Sequence, residues 1–550
     1  MDWAPVSAIR WLFSSQDGDS DRLLPRWLFL RAFGLIYFSA FFSLAFQIRG
    51  LMGPDGILPA AQYLKAVAQA FSQPMRLWYA PTLLWFSSSS TMLTALCWVG
   101  MVASLLLVLN LWPRGMLVVC FACFLSFASA AQDFSGYQSD GMLLEAGFIA
   151  LFLAPPGFRP GLGRSHPPSR VSLFLLLWEW FRIYFESGVV KIASGDPQWR
   201  HFTAMDEYYQ NGPLPTWIGW YLQHLPHSFH AFTVYATLAM ELGLVWMMFL
   251  PRRWRIALFF IVTPWQIIVI LTANYTFLNY LVLILGVLLL DDRFIQHFRQ
   301  FFHSCHSEPS AGALARRGSV EEPAATNSAP ITQPAARPSL PRAAYNAAKL
   351  ALAAVMLAWI FYAATVPLLW MFTTAIPFPT SPIAALEPFR IANRYGLFAV
   401  MTRGRYEIEF QGSDDGHDWT AYPFGFKPQD VTKPPGIYAP YQPRFDWNLW
   451  FASLGSWRDY PIVANTEIRL LSNDKDVLAL FAGNPFAQHP PQQVRAVLWQ
   501  YWFTSMAEKR ASGNWWRRQL LGLYAPVLER EADGTIVAIE MPEEVTRDVR

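Results

Sequence analysis

Acidic and basic side chains occur inside stretches of this sequence that are otherwise apolar. Within the run from Val171 to Lys191, the residues Glu179, Arg182 and Glu186 are spaced i, i+3, i+7, which places them on one face of a helix. Lys191 follows at the end of that run. Further ionisable residues fall inside other apolar runs: Arg31, Asp140, Glu145 and Glu241. Because a charge inside a membrane span is costly, each of these residues is a candidate for function.

Two interpretations of these ionisable residues are open. In the first, their charges roughly cancel in a buried ion-pair network that fixes helix packing. That network would comprise Arg31, Glu145, Glu179, Arg182 and Glu241. In the second, the residues line a polar cavity open to the outer side, where Lys191, Glu186 and Asp140 are the candidate catalytic acid/base groups. A paired cluster favours a structural role, whereas a lipid-like ligand in the cavity would indicate a membrane enzyme.

The composition of the chain indicates a protein that lies in a membrane. Hydrophobic residues make up 53% of the 550 residues and charged residues only 15%, against about 25% charged in soluble domains. The net charge of +3 is small, and the chain has no Lys/Arg-rich run of the kind that binds nucleic acid. We therefore expect membrane lipids, and not DNA or RNA, around this protein.

Apolar runs of about 17 to 25 residues predict membrane spans. We count nine: Trp27–Ile48, Thr91–Trp112, Gly115–Ala131, Ser139–Pro155, Val171–Lys191, Phe229–Leu250, Ile256–Thr272, Thr276–Leu290 and Leu350–Phe372. Arginines concentrate in alternate connections, so the positive-inside rule places the N-terminus in the cytoplasm. An odd number of spans then places the C-terminal part outside it.

The predicted fold is a polytopic α-helical membrane bundle with a β-rich soluble C-terminal domain bearing packed helices. Residues 1–303 would form the bundle, with two long outside loops at 49–90 and 192–228. The Ala-, Pro- and Ser-rich residues 304–342 read as a flexible inside linker. Residues 343–386 would hold the last span and its exit, and residues 387–550 the extracytoplasmic domain.

Within the C-terminal domain, the alternation of apolar and polar residues at Tyr406–Phe410 predicts a strand, and Trp419–Phe426 is predicted as the returning strand. Val477–Phe481 and Val494–Thr504 read as helices. An exposed aromatic surface there would suit the capture of a client protein, and Trp447, Trp450 and Phe451 are its candidates. The other interpretation is that these aromatic side chains form the core of the domain.

The cysteines and histidines do not predict a metal or redox site. Cys120 and Cys123 have the C-x-x-C spacing but lie inside an apolar run, which favours packing. His224, His227 and His230 cluster near the outer surface, with no carboxylate nearby in sequence to support a metal ligand. We predict no metal site and no cofactor.

Several stretches together resemble one family. They include Arg49-Gly50-Leu51, Ser187-Gly188-Val189-Val190-Lys191, Asp196-Pro197 with Trp199-Arg200, Asn393-Arg394-Tyr395-Gly396-Leu397-Phe398, Tyr438-Ala439-Pro440-Tyr441-Gln442-Pro443-Arg444, and Asp446-Trp447. On these motifs the chain resembles the lipase maturation factor family over nearly its whole length. The resemblance marks Asp196, Pro197, Trp199 and Arg200 as family-motif residues.

The resemblance implies a membrane-embedded factor that helps exported, lipase-type client proteins, such as dimeric secreted lipases, to fold and assemble. It implies binding of the client by the C-terminal domain. The alternative function is a membrane-embedded enzyme acting on a lipid-soluble substrate, vaguely like vitamin K-dependent carboxylase. The only N-glycosylation sequon is Asn274-Tyr275-Thr276, inside a tight hairpin. That favours a bacterial inner membrane over the endoplasmic reticulum, the expected location in a eukaryote.

Overall fold

The computed structural model describes residues 4–297, 340–373, 375–543, 545 and 547. Among these residues, five helical segments are long and apolar enough to cross a membrane: Ser20–Ala45, Ser90–Val108, His227–Phe249, Arg252–Thr272 and Ala344–Trp370. The protein is therefore a membrane protein, but nine spans are not established by length and apolarity. Most of the predicted linker, residues 304–339, lies outside the described residues.

The N-terminal part is helical throughout. Its longer helices are α1 (Ala4–Phe13), α2 (Leu23–Ala45), α4 (Ala60–Ala70), α6 (Ser90–Val108), α7 (Pro113–Ala128), α8 (Gln138–Leu153), α9 (Arg170–Ala193), α13 (His227–Leu242), α14 (Arg252–Thr272), α15 (Leu278–Val287) and α16 (Leu340–Trp370). Short helices lie between them: α3 (Ile48–Met52), α5 (Met75–Tyr79), α10 (Pro197–Arg200), α11 (Tyr208–Asn211) and α12 (Trp217–Gln223).

Local sequence explains where several of these helices begin. The hydroxyl groups of Ser89 and Ser169 accept hydrogen bonds from the first turns of α6 and α9, which satisfies donors that a helix leaves free. Pro113 occupies the first turn of α7, where its missing N–H costs nothing.

Helix α2 packs against α6, α8 and α15. A Cβ atom on Gly100 of α6 would lie 2.5 Å from the ring of Phe41, and one on Gly147 of α8 would lie 2.2 Å from the hydroxyl of Tyr37. Glycine at these positions therefore lets two helices approach the aromatic face of α2. Apolar side chains on the outer faces, such as Leu35 and Ile268, stay exposed, as lipid contact requires.

The bundle has two chemically different ends. At one end, arginines bind the ends of neighbouring helices: Arg114 Nε donates to Ala154 O at 2.7 Å, and Arg252 pairs with Asp291. At the other end, the bundle contacts the C-terminal domain. Gln47 Nε2, for example, donates to Gln442 O at 2.8 Å. The arginine-rich end and the C-terminal domain are thus on opposite sides.

The C-terminal part contains one antiparallel sheet, in the order β2-β1-β3-β5-β6 with β4 also paired to β3. Its strands are β1 (Arg405–Ser413), β2 (Thr420–Ala421), β3 (Gln493–Phe503), β4 (Trp516–Leu523), β5 (Val527–Arg530) and β6 (Ile536–Glu540). The helices are α17 (Ser381–Ala384), α18 (Arg444–Ser453), α19 (Pro461–Leu471), α20 (Lys475–Leu478) and α21 (Met506–Ser512).

The prediction of a helix at Val494–Thr504 is wrong, because that segment is β3 at the centre of the sheet. Its many Val, Trp, Tyr and Phe residues favour a strand. The expected strand at Tyr406–Phe410 lies within β1, and the returning strand is only the two residues of β2. Every residue of β1 is buried, because α18 packs against one face of the strand and Lys427 bonds to Glu407 on the other.

One hydrophobic core runs through both parts of the chain. It includes Phe29 and Leu176 of the bundle together with Ile408 and Leu498 of the sheet. The predicted outside loop 49–90 contributes to the same packing, since Arg469 Nε donates to Gly56 O at 3.1 Å. The C-terminal domain is therefore packed directly onto the bundle.

Candidate functional site: the seam between the spans and the C-terminal domain

Residues 390–402, here called the linking segment, contact α8 and α9 from their middle turns to the outer end of α9 and lead into β1. Carboxylates of the bundle accept hydrogen bonds from its backbone. Asn393 N donates to Glu145 Oε2 at 2.9 Å, and Tyr395 N donates to Glu186 Oε2 at 2.6 Å. These buried carboxylates therefore hold a chain segment in place by charge-assisted hydrogen bonds.

Arg182, in the middle of α9, contacts both Glu145 and the linking segment. Arg182 forms an ion pair with Glu145, with both side chains buried, and its Nη1 donates to Asn393 O at 2.7 Å. The hydroxyl of Tyr395 donates to Glu145 Oε2 at 2.8 Å and lies 3.4 Å from Glu179 Oε1. The i, i+3, i+7 spacing on α9 thus presents three charges to the linking segment.

Lys191 lies at the outer end of α9. Its Nζ is 2.9 Å from Glu241 on α13 and donates to Leu397 O at 3.1 Å. The same ammonium lies 5.2 Å from the centre of the Trp199 ring, within the range of a cation–π contact. Lys191 therefore joins two spans to the linking segment.

The family-motif residues Asp196 and Trp199 bind the next part of the linking segment. Asp196 Oδ2 accepts from Met401 N at 2.7 Å, and Trp199 Nε1 donates to Phe398 O at 3.0 Å. Pro197 and Arg200 are exposed in α10 and its end. Asp196 and Trp199 of the motif therefore position residues 398–401.

Asp140 binds the C-terminal domain directly. Arg444 at the start of α18 donates from Nη1 to Asp140 Oδ2 at 2.7 Å and from Nη2 to Oδ1 at 2.8 Å. Both side chains are fully buried, and the guanidinium also lies 4.6 Å from the centre of the Phe127 ring. This bidentate ion pair joins residues 304 positions apart.

One member of the proposed charge network has a different environment. Arg31 donates to Trp27 O at 3.2 Å and lies over the Trp27 ring, with no carboxylate partner among the described residues. Trp27 and Arg31 are one helical turn apart, so the arginine is stabilised within its own helix. The expectation that Arg31 pairs with the acidic residues of α8, α9 and α13 is wrong.

The three candidate catalytic residues Lys191, Glu186 and Asp140 all bind the linking segment or α18. Lys191 and Asp140 bond there to Leu397 O and Arg444, whereas Glu186 bonds to Tyr395 N through Oε2 and its Oε1 has no partner among the described residues. These contacts give no support to the hypothesis of a buried acid/base centre.

The histidine cluster has a carboxylate partner that the local sequence did not suggest. Asp206 Oδ1 lies 3.0 Å from His227 Nδ1 and 3.3 Å from His230 Nδ1. His224 instead contacts Thr504 O through Nε2 at 2.9 Å. Within the described ranges, no group of three His, Cys, Asp or Glu side chains is arranged to hold a metal ion. Cys120 and Cys123 are buried free thiols.

A second buried polar cluster stabilises the sheet beneath α18. Lys427 Nζ is 2.9 Å from Glu407 Oε2, and Glu407 also pairs with Arg405. Asp446 Oδ1 accepts from Lys427 N at 3.2 Å. Burial raises the pKa of Asp446 to about 6, although Lys427 opposes that rise.

The three candidate client-binding residues differ in exposure. Trp447 is 7% exposed and Trp450 is 8% exposed, whereas Phe451 is 36% exposed. The two tryptophans line a cavity of about 460 Å³ between α18 and the bundle, and Phe451 lies at its edge. Phe451 also borders a surface groove of about 510 Å³ that extends past Val400 and Leu454 to Tyr460.

These features define a class: a polytopic membrane protein whose C-terminal domain is fixed to the bundle by the buried Asp140–Arg444 ion pair and by buried hydrogen bonds. The chain matches the lipase maturation factor transmembrane domain over residues 24–297 and the lipase maturation factor C-terminal domain over residues 391–526. It belongs to the lipase maturation factor family, as its motifs indicated. The match to the C-terminal model begins within the linking segment.

Curated relatives agree with this assignment. The chain is 31% identical to lipase maturation factor 2 of Rattus norvegicus, over 92% of this chain and 83% of that protein. It is 32% identical to lipase maturation factor 2 of Homo sapiens, over 92% of this chain and 82% of that protein. It is 30% identical to lipase maturation factor 1 of Bos taurus, over 92% of this chain and 89% of that protein. No solved structure matches this chain.

Proposed function

We propose that this protein is a membrane-anchored maturation factor that holds an exported, lipase-type client while the client folds and assembles into a dimer. The observation that carries the proposal is the family match across both the bundle and the C-terminal domain. The contacts of the linking segment and α18 with the bundle support the proposal, because they hold the domain in a fixed position at one end of the spans. A client bound there would stay at the membrane surface.

The proposed topology has about nine crossings, with the N-terminus in the cytoplasm and the C-terminal domain outside it. In addition to the five long apolar helices, it uses α7, α8, α9 and α15, which lie beside them in the bundle. Arginines such as Arg114 and Arg252 mark the inner end by the positive-inside rule. The C-terminal domain lies at the opposite end, as the contact of Gln47 with Gln442 indicates.

Labelling of single cysteines tests this orientation. In a Cys305→Ser background, Asp533→Cys places a thiol on an exposed loop of the C-terminal domain, and Ser165→Cys places one on an exposed loop at the arginine-rich end. A membrane-impermeant maleimide applied to intact cells should label the first variant and not the second. The reverse pattern would overturn the orientation.

We further propose a bacterial inner membrane as the location, with the endoplasmic reticulum as the expected membrane in a eukaryote. The single sequon supports this proposal, because Asn274 is 2% exposed. Its Nδ2 donates to Leu214 O at 3.1 Å and its Oδ1 accepts from Tyr438 N at 2.7 Å. An asparagine held in this way serves the fold and is not presented as a glycosylation acceptor.

The proposed client contact is the surface groove beside Phe451, here called the outer groove. Val400 is 46% exposed at its rim, and Leu454 and Tyr460 continue its apolar lining. Apolar side chains that remain exposed beside the linking segment are suited to an unfinished client surface. Trp447 and Trp450 would act behind this groove, as the wall on which Phe451 rests.

Co-purification from cells that express a secreted lipase tests the outer groove. Val400→Asp should lower the amount of lipase that copurifies with the full-length protein by at least 5-fold, because a charge replaces an apolar contact. Ile437→Asp is the matched control, since Ile437 is 41% exposed on another loop of the domain. Equal recovery of lipase with both variants would exclude the groove as the client site.

A further inference from the structure

A cavity lies between the C-terminal domain and the ends of two spans. Its lower wall includes Val269 of α14 and Leu278 of α15, and its upper wall includes Trp447 and Trp450 of α18. At about 460 Å³ it falls in the size range of small-molecule sites, roughly 300–1,000 Å³. α14 ends at Thr272 and α15 begins at Leu278, so the cavity lies where these two apolar helices meet the C-terminal domain.

The lining of this cavity is uncharged. Among the described residues that form its walls, none is Asp, Glu, Lys, Arg or His. Aromatic and aliphatic side chains dominate, including Tyr208, Tyr275 and Phe398. A free carboxylate or a phosphate inside this cavity would lack a cation to offset its loss of hydration.

The cavity also carries buried hydrogen-bond donors that the protein leaves unused. Trp447 Nε1, Trp450 Nε1, Asn279 Nδ2 and the side-chain amide of Gln442 have no hydrogen-bond partner within the described part of the structure. The four residues are 7%, 8%, 6% and 1% exposed, respectively. Buried polar groups are normally paired, so unpaired donors in one cavity point to a ligand that supplies acceptors.

We propose that this cavity binds a neutral ester lipid of the acylglycerol type. The acyl chain would lie against Val269, Leu278 and Phe398, and the ester carbonyl oxygen would accept from an indole N–H. The amide of Gln442 can both donate to and accept from a glycerol hydroxyl. This ligand satisfies the unused donors without bringing a charge into an uncharged cavity.

Photocrosslinking of the purified full-length protein in detergent tests the site without any client. The probe is a monoacylglycerol with a diazirine in its acyl chain. Unlabelled monoolein should abolish labelling, whereas oleate and lysophosphatidylcholine at the same concentration should leave most of it. Labelled peptides should fall within residues 396–402 and 442–454. Equal competition by oleate, or labelling confined to other peptides, would overturn the proposal.

Two substitutions, each with a control, test the residues that line the cavity. Ala399 is half-buried in the cavity wall, so Ala399→Phe should fill the space and reduce labelling at least 5-fold. Ala507→Phe, at an exposed position of α21, is its control. Trp450→Phe keeps an aromatic side chain, although a smaller one, but removes the indole N–H donor, and should weaken monoolein competition about 3- to 10-fold.

The control for Trp450→Phe is Trp457→Phe. Trp457 Nε1 is likewise buried without a partner among the described residues, but Trp457 does not line the cavity. If Trp457→Phe weakened competition as much as Trp450→Phe, the effect would be one of general packing and the assignment of the donor would be wrong. Displacement of the probe by an apolar peptide but not by monoolein would make the cavity a client site, and would also refute the lipid proposal.

Discussion

Replacing Asp140 by leucine should undock the C-terminal domain from the bundle. In the native protein both oxygens of Asp140 accept from Arg444, and both side chains are 0% exposed. Removing one partner of a buried ion pair costs about 3–5 kcal/mol, because the other charge is left without compensation. Arg444 would keep its bond to Phe134 O and its contacts with the rings of Phe127 and Tyr137.

The reciprocal change, Arg444→Met, should cost a similar amount. The double variant Asp140→Leu/Arg444→Met should be much more stable than the sum of the two single effects predicts, because neither charge then remains buried alone. We expect a coupling energy of about 3 kcal/mol between the two sites. The free energy of unfolding would be measured by denaturation in detergent, followed by tryptophan fluorescence, with limited proteolysis to detect the released domain.

A matched control is Lys433→Met. Lys433 and Asp430 form an ion pair at 3.9 Å with side chains 79% and 47% exposed, and exposed pairs contribute about 0–1 kcal/mol. If Asp140→Leu cost no more than this control, or if the two buried substitutions were additive, Asp140 and Arg444 would not hold the domain in place.

Three further predictions follow from buried groups and close contacts. Because folding raises the pKa of Asp446 from 3.8 to about 6, its contribution to stability is greatest below pH 4 and is lost as pH rises to about 6, by up to about 3 kcal/mol. Asp446→Asn should remove that part of the pH dependence of the unfolding free energy, and an unchanged pH profile would refute the assignment. Lys191→Met should reduce the yield of folded protein, because Glu241 is left unpaired in the bundle, and Lys191→Met/Glu241→Leu should recover part of it. Loss of client maturation at a normal yield would instead indicate a direct role of Lys191. A Cβ atom at Gly50 would lie 2.3 Å from a backbone oxygen of α20, so Gly50→Ala should lower the melting temperature by several degrees, whereas Gly425→Ala, in open space, should not.

The sequence predicts the bundle well because apolar length and helical spacing are local properties. Helices occur at all the positions where spans were expected, and Glu179, Arg182 and Glu186 share one face of α9. Strand β3 was missed because its burial does not alternate regularly: neighbouring residues from Ala496 to Leu498 are all buried. A strand covered on both faces lacks the period of two that separates it from a helix.

The partners of the ionisable residues could not be predicted in the same way. Glu186 binds Tyr395 across 209 residues, and Asp140 binds Arg444 across an even longer separation. No periodicity connects such positions, and Arg444 entered the sequence analysis only as the last residue of a family motif. Arg31 shows the opposite error. The balance of charges inside the apolar runs suggested a carboxylate partner, whereas the guanidinium is stabilised by its own neighbour, Trp27.

The linking segment also has a consequence for how the protein is made. Translation proceeds at about 5–20 residues per second, so the 209 residues between Glu186 and Tyr395 take roughly 10–40 s to synthesise. Throughout that interval the nascent bundle lacks the backbone donors of the linking segment for Glu145 and Glu186. A chain that stalls before residue 390 would keep these carboxylates incompletely bonded in the membrane, which would mark it for degradation. Synthesis of the linking segment thus completes the hydrogen bonding of the membrane part before most of the C-terminal domain is made.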